Sequence, residues 1–382
     1  METEMSKIIT FERPVSIDER IFRNKIWTNF EDAIKKKEDL LFDFQNVTFI
    51  ESTVVTKICC LGEIAKRESI NIEIIPSVKL ALYLAEMDFW QIASMNEIFD
   101  FDINYLEMNF SNKKVTNALF CIQKEELKRK YWDKFEFAEW VKEETKYKFF
   151  VMAELAGINN AVGNGTYTLD NIPDSCKAVL KTISGFAGYS SYASEDAILG
   201  PIVEIVHNAV WHGEGKCYFL AQTSSYKGKH NRVGIDISVA DTGCGLYKSL
   251  SKKKEGTLWY YSKEDFIKIV DKSRQNYYSI IEALFFRQRS AKRGLYDIIT
   301  DLANEPKDYF SEIHLINGNV AFNLRQGQKI NMNDEIIKAF DISNFLNKGI
   351  ENMIKKQDKY FAIMPDIGFS VCVDITISVP AR

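Results

Sequence analysis

Seven cysteines are spread over 382 residues, and none stands at metal-ligand spacing from another. The odd count, with Cys59 and Cys60 adjacent in apolar text, argues against a disulfide framework or a zinc centre and for reduced thiols. No stretch reaches the ~18 apolar residues that a membrane-crossing helix needs, so no membrane association is expected. The opening METEMSKIITFE does not read as a signal peptide, and a cytoplasmic location is the expectation. No basic block dominates a net charge of −4, so nucleic acid is not an implied partner. Internal repeats and low-complexity tracts are also missing.

What is present suffices for real cores. Apolar residues make up 46% of the chain, and two domains are the natural count at this length. The first hundred residues alternate strand and helix text. Ser16-x-x-Glu19 has capping-box spacing ahead of a helix over IFRNKIWTNFEDAIKK. DLLFDFQNVTFI predicts a strand, then STVVTKICCLGEIAKR a helix with Ser52 or Thr53 as its N-cap. NIEIIP reads as a short buried strand, SVKLALYLAEMDF as a helix and NEIFDFDI as another strand. Such alternation implies parallel pairing through helical crossovers. Further on, KEELKRKYWDKFEFAEWVKEETKYK alternates in sign like a solvated helix face. Its Phe135, Phe137, Trp140 and Val141 offer a surface for a neighbouring domain or a homodimer contact. GINNAVGNGTYTLDNIPDS is rich in Gly and Asn and reads as a loop and hinge.

The chemistry concentrates near the middle. In EIVHNAVWHG, a helical backbone puts Glu204, Asn208 and His212 at i, i+4 and i+8, pointing roughly one way. A carboxylate, an amide and an imidazole on one face of an apolar helix are costly to bury unless something polar sits over them. His207 and His212 diverge around the helix and do not suit one metal. VGIDISVADTG is an alternating strand, with Asp236 and Ser238 opposite Val233, Ile235, Ile237 and Val239. It ends in DTGCG, where Asp241 would be a carboxylate fixed at a strand end and the glycines permit a sharp turn. A plain turn is the alternative. RSAKRGLYDII reads as a basic helix start, either solvated or holding an anion on its amides. The long insert before it has two helical patterns, SKEDFIKIVDK and YYSIIEALFFRQ. FSEIHLINGNVAFNLRQ reads as a hairpin turning at Asn317-Gly318-Asn319, and FAIMPDIGFSVCVDITISVP reads as a final long strand in which Val371, Val373, Ile375 and Ile377 alternate.

E-x-x-x-N-A-x-x-H-G followed by D-x-G-x-G resembles the nucleotide site of the ATPases shared by gyrase, Hsp90, histidine kinases and MutL (the GHKL group). Within that group the first run is most similar to the anti-sigma-factor serine kinases. The resemblance implies a two-layer α/β sandwich of the histidine-kinase-like ATPase type over residues 175–382, with ATP and Mg²⁺ as ligands. By position, Asn208 would ligate Mg²⁺, and Glu204 would orient or deprotonate the attacking water or hydroxyl. Asp241 would hold the adenine amino group, with Gly243 and Gly245 shaping the pocket around it. His212 would contact the ligand or cap the helix end beside Gly213. Ser290, Lys292, Arg293, Gly294 and Leu295 take the place of the phosphate turn. The family usually carries two or three glycines there, whereas this chain has Gly294, which shifts the burden to Lys292 and Arg293. Residues 247–292 fall where the family has its ATP lid. Phe369 stands where a small hydroxyl residue is usual.

DFQNVTFIESTVV resembles the STAS domains of anti-sigma-factor antagonists, implying a STAS-like α/β domain over residues 1–105 and a connector over 106–174. Thr53 takes the position phosphorylated in some of them, although Glu51 and Val54 replace the family's Asp and Gly. STAS partners bind the kinase-like ATPase in sporulation-type circuits, so a protein partner is implied. The expected activity is ATP hydrolysis or phosphorylation of a protein serine or threonine. The alternative is a non-catalytic ATP-sensing interaction module, with a bacterial stress or phage-defence system as a setting.

Overall fold

A computed structural model describes residues 6–86, 89–100, 149–154, 205, 209, 216–226, 232–251, 275–277, 279–280, 283, 310–325, 361–363 and 371–380. These residues form a mixed α/β protein with parallel and antiparallel sheets. Contacts divide the chain into two units, Met1–Glu154 with Leu220–Ser224, and Leu155–Phe219 with Ser225–Arg382.

In the first unit, β1 (Lys7–Thr10), β3 (Leu40–Phe44) and β5 (Ile72–Pro76) form a parallel sheet in that order. β2 (Val15–Ile17) pairs in parallel with β4 (Val47–Ile50). Parallel neighbours need long crossovers, and helices supply them here. The expected single strand over DLLFDFQNVTFI is in fact two strands in two sheets. Gln45 and Asn46 break it. Asn46 bonds to Phe11 through its side chain (2.6 Å) and to Val15 through its carbonyl (2.9 Å), which turns the chain from β3 into β4.

The helical stretch after β2 runs as α1 (Glu19–Ile21), a π-helical turn (Phe22–Trp27) and α2 (Thr28–Lys36). Its cap is not Ser16, which lies in β2, but Asp18, whose carboxylate accepts the Ile21 amide at 2.7 Å. Asp18 has extended backbone and stands immediately before the first helical residue, as an N-cap requires. The wider π turn brings Phe22 and Trp27, five residues apart, edge to face at 5.7 Å. Lys37 ends the helix in the left-handed conformation.

α3 (Ser52–Arg67) is buried along most of its length, as a helix that is apolar nearly all round must be. The expected Ser52 or Thr53 cap is not seen: Glu51 occupies the cap position and its side chain does not cap the helix amides, and both hydroxyl residues lie inside the helix. Lys57, fully buried, is paired with Glu19 at 2.7 Å. α4 (Val78–Glu86) starts where Ser77 Oγ accepts the Leu80 amide. α5 (Phe89–Asn96) extends helical structure beyond the expected end, and Trp90 donates to the Ala81 carbonyl at 3.0 Å. The strand expected over NEIFDFDI reduces, within the described residues, to one bridge between Asp100 and Glu73. Ile98 and Phe99 instead turn inward against Gly62. β6 (Phe149–Glu154) is the last described strand before the second unit.

The second unit holds β8 (Arg232–Asp241), the short helix α6 (Gly245–Ser251), β9 (Phe310–Asn317), β10 (Val320–Arg325), β11 (Phe361–Ile363) and β12 (Val371–Pro380), and β7 (Cys217–Tyr226) is divided, with Leu220–Ser224 counted in the first unit and its two ends in the second. Its own strands lie in the order β11-β10-β9-β12-β8, and the text FAIMPDIGFSVCVDITISVP, expected as one final strand, gives two, β11 beside β10 and β12 between β8 and β9. β12 is antiparallel to both β8 and β9, and β9–β10 is the hairpin that the sequence predicts. Gly318 has φ +57° in its turn, a conformation that favours glycine. Among the described residues, no helix is long and apolar enough to cross a membrane.

Candidate functional site

The site grows from the alternation of β8. Ile237 and Val239 are buried on one face, together with their cross-strand partners Ile375 and Val373 on β12 and, beyond those, Ile313 and Leu315 on β9. Asp241 ends that row. It pairs with Val371, and Val371 pairs with Asn317, so the three residues stand level at one end of the sheet on the same face.

Asp241 is 1% exposed. Burial pushes its carboxyl up to about 7, against the lowering effect of amide bonds from Gly243 and Val371. The Gly243 amide donates to Oδ1 at 2.8 Å. A carboxylate has about four acceptor positions, so these two bonds leave capacity for a ligand N–H. The Thr242 amide donates to the Lys216 carbonyl at 3.0 Å, which fastens the turn to the start of β7. Gly245 has φ 76°, which a side chain at that position would strain. Leu246, in the first turn of α6, donates its amide to Asn317 Oδ1 at 3.1 Å. D-x-G-x-G is therefore a tied turn, with its carboxylate held at a strand end. Cys244 is half-buried, and its thiol lies 3.7 Å from the Gly245 carbonyl.

Of the residues expected to form the site, the structure brings together Asp241, Gly243 and Gly245. Glu204, Asn208, His212, Ser290, Lys292, Arg293, Gly294 and Leu295 lie outside the described residues, as do His207, Gly213 and Phe369. Within EIVHNAVWHG, Ile205 and Ala209 are helical and buried, four residues apart. An adenine-and-magnesium ligand is thus testable against the purine end alone. There the residues fit: a buried acceptor with spare capacity stands beside glycines that permit close approach.

Two polar clusters escaped the sequence reading. Asn276 lies between the two helical patterns of the long insert, and its side chain donates to Asn319 Oδ1 at 2.7 Å while its carbonyl accepts from Asn317 at 3.1 Å. On the opposite face from Asp241, Ser238 donates to Asp374 Oδ1 at 2.5 Å, and His314 Nδ1 lies 3.3 Å from Asp374 Oδ2. Beside them Thr376 donates to Asp236 at 2.9 Å, and burial pushes the Asp236 carboxyl up. One signal was available: in VCVDITISV, aspartate interrupts a strongly apolar strand. Its partners His314 and Ser238 are cross-strand neighbours, which a single strand does not reveal.

Comparison with protein-family models, with curated proteins and with solved structures finds no match to this chain.

Proposed function

We propose that this chain is an Mg-ATP-binding regulatory protein, with a STAS-like module ahead of an ATPase module of the histidine-kinase type. The observation that carries the reading is the tied D-x-G-x-G turn. Asp241 is a buried acceptor at the end of a central strand, and Gly245 is left-handed beside it. The same chain carries E-x-x-x-N-A-x-x-H-G upstream. The parallel pairing in the first unit and the antiparallel β8–β12–β9 core in the second support a two-module organisation.

In this reading Asp241 accepts from the exocyclic amine of the purine. Asn208 would hold Mg²⁺, which neutralises phosphate charge when bound. Glu204 orients or deprotonates the attacking water or protein hydroxyl, and Lys292 and Arg293 hold phosphate oxygens. Phosphoryl transfer relies on positioning and charge neutralisation, so this residue set is sufficient. Because Asp241 is closed to solvent, the ligand must open the pocket to reach it.

The phosphate turn favours a second reading, a non-catalytic ATP sensor that acts on a protein partner. Gly294 alone supplies the flexibility that the family draws from several glycines. Titration calorimetry with Mg-ATP and a γ-phosphate release assay separate the two. Binding with turnover that Glu204→Ala abolishes supports the enzyme. Binding without turnover supports the sensor, and no binding heat at millimolar Mg-ATP refutes both.

A further inference from the structure

We propose that the Asn317-Gly318-Asn319 turn is a joint that ties the D-x-G-x-G turn to the helical residues around Asn276, so that occupancy at Asp241 is passed to that helix. The coupling rests on the nucleotide reading above; the joint itself does not.

Three buried asparagines build it. Asn317, 1% exposed, caps a helix from 71 residues away by accepting the Leu246 amide, a donor that has no partner inside α6. Its own NH₂ donates to the Asn276 carbonyl. The amide therefore has one orientation. Flipped, it would set N–H against N–H and oxygen against oxygen at buried positions. Asn276 answers by donating to Asn319 Oδ1 across the turn. Gly318 lets this happen: a Cβ there would lie 2.4 Å from Asn276 Nδ2, and its φ is +57°. Helical geometry around Asn276 is reinforced by Ser279 Oγ, which donates to the Gln275 carbonyl at 2.6 Å. Tyr277 and Ile280 are buried. Asn317 also pairs with Val371, whose amide bonds Asp241. The joint and the carboxylate thus stand at the same end of the sheet, on either side of Val371, and Asn317 is a positioning residue for the turn that bears Asp241.

The test is hydrogen–deuterium exchange on the full chain, with and without Mg-ATP, in wild type, Asn317→Asp and Asn319→Ala. Aspartate keeps the acceptor for Leu246 and loses the donor to Asn276. Asn319→Ala removes the bond from Asn276 and leaves the Asn317 side chain in place, so it remains informative if the first variant fails to fold. Without nucleotide, both variants should exchange about tenfold or more faster over residues 275–283, the cost expected of an unsatisfied buried group. Residues 241–251 should keep the wild-type rate in Asn317→Asp. With Mg-ATP, wild type should slow in both segments and the variants only in 241–251. Unchanged exchange over 275–283 in the nucleotide-free variants overturns the joint. Protection of 241–251 alone in wild type, or undiminished transfer in the variants, overturns the coupling and leaves the nucleotide reading standing. Protection of neither segment overturns that reading and the coupling together.

Discussion

At the scale of single residues, Asp241 carries the most chemistry. Its carboxyl is held near 7 in the folded chain and returns to the ordinary range, about 4, on unfolding. The folded state therefore holds a proton that the unfolded state has released between those two values. Stability contributed by this group is complete below about pH 4 and declines as pH rises to about 7, by on the order of 4 kcal/mol. Urea titrations between pH 4.5 and 7.5 should show that decline reduced in Asp241→Asn relative to wild type. Asp236 adds to the decline with the same sign in both proteins, since burial raises it too. Ligand binding runs the other way. An amine donor favours the ionised carboxylate, so Mg-ATP affinity should rise from pH 6 to 8 and level off. Asp241→Asn should flatten that rise and weaken binding roughly 10- to 100-fold, read by calorimetry. Gly245 sets the turn's backbone at φ 76°; Gly245→Ala should cost about 1–2 kcal/mol in the same urea titrations.

Among the described elements, α3 is closely packed at Gly62. A Cβ on Gly62 would sit 2.8 Å from Ile98 Cβ and 2.9 Å from the Ile98 carbonyl oxygen. Backbone cannot swing aside as a flexible side chain can. Gly62→Ala should therefore destabilise the first unit by about 1–3 kcal/mol, despite its gain in helix propensity. Guanidinium unfolding followed by far-UV circular dichroism measures this. Elements were legible where one period ran without interruption, as in β8, β12 and α3. They were misjudged where a few polar residues redirect the chain. Gln45 and Asn46 look tolerable inside a strand until Asn46 is seen bonded to Phe11 and Val15. Asp18 outcompetes Ser16 as a cap because the helix starts immediately after it.

For the whole molecule, the proposed ligand should stabilise by mass action. Mg-ATP at a hundred times its dissociation constant adds about 2.7 kcal/mol to the folded state. A thermal scan of wild type should show an upward shift that Asn208→Ala loses and Glu204→Ala retains, since only the first is assigned to holding the ligand. A shift retained by Asn208→Ala and lost by Glu204→Ala would reverse those assignments.

The strand periods, the hairpin at Asn317-Gly318-Asn319 and the turn at Asp241 follow from neighbours along the chain, because alternation and glycine's freedom act within a few residues. The asparagine joint and the Ser238–Asp374–His314 cluster do not. Their members are brought together by sheet register, across 71 residues for Asn317 and Leu246 and 136 for Ser238 and Asp374. Register is set by which apolar faces bury against one another, and that is a property of the assembled sheet rather than of any local string.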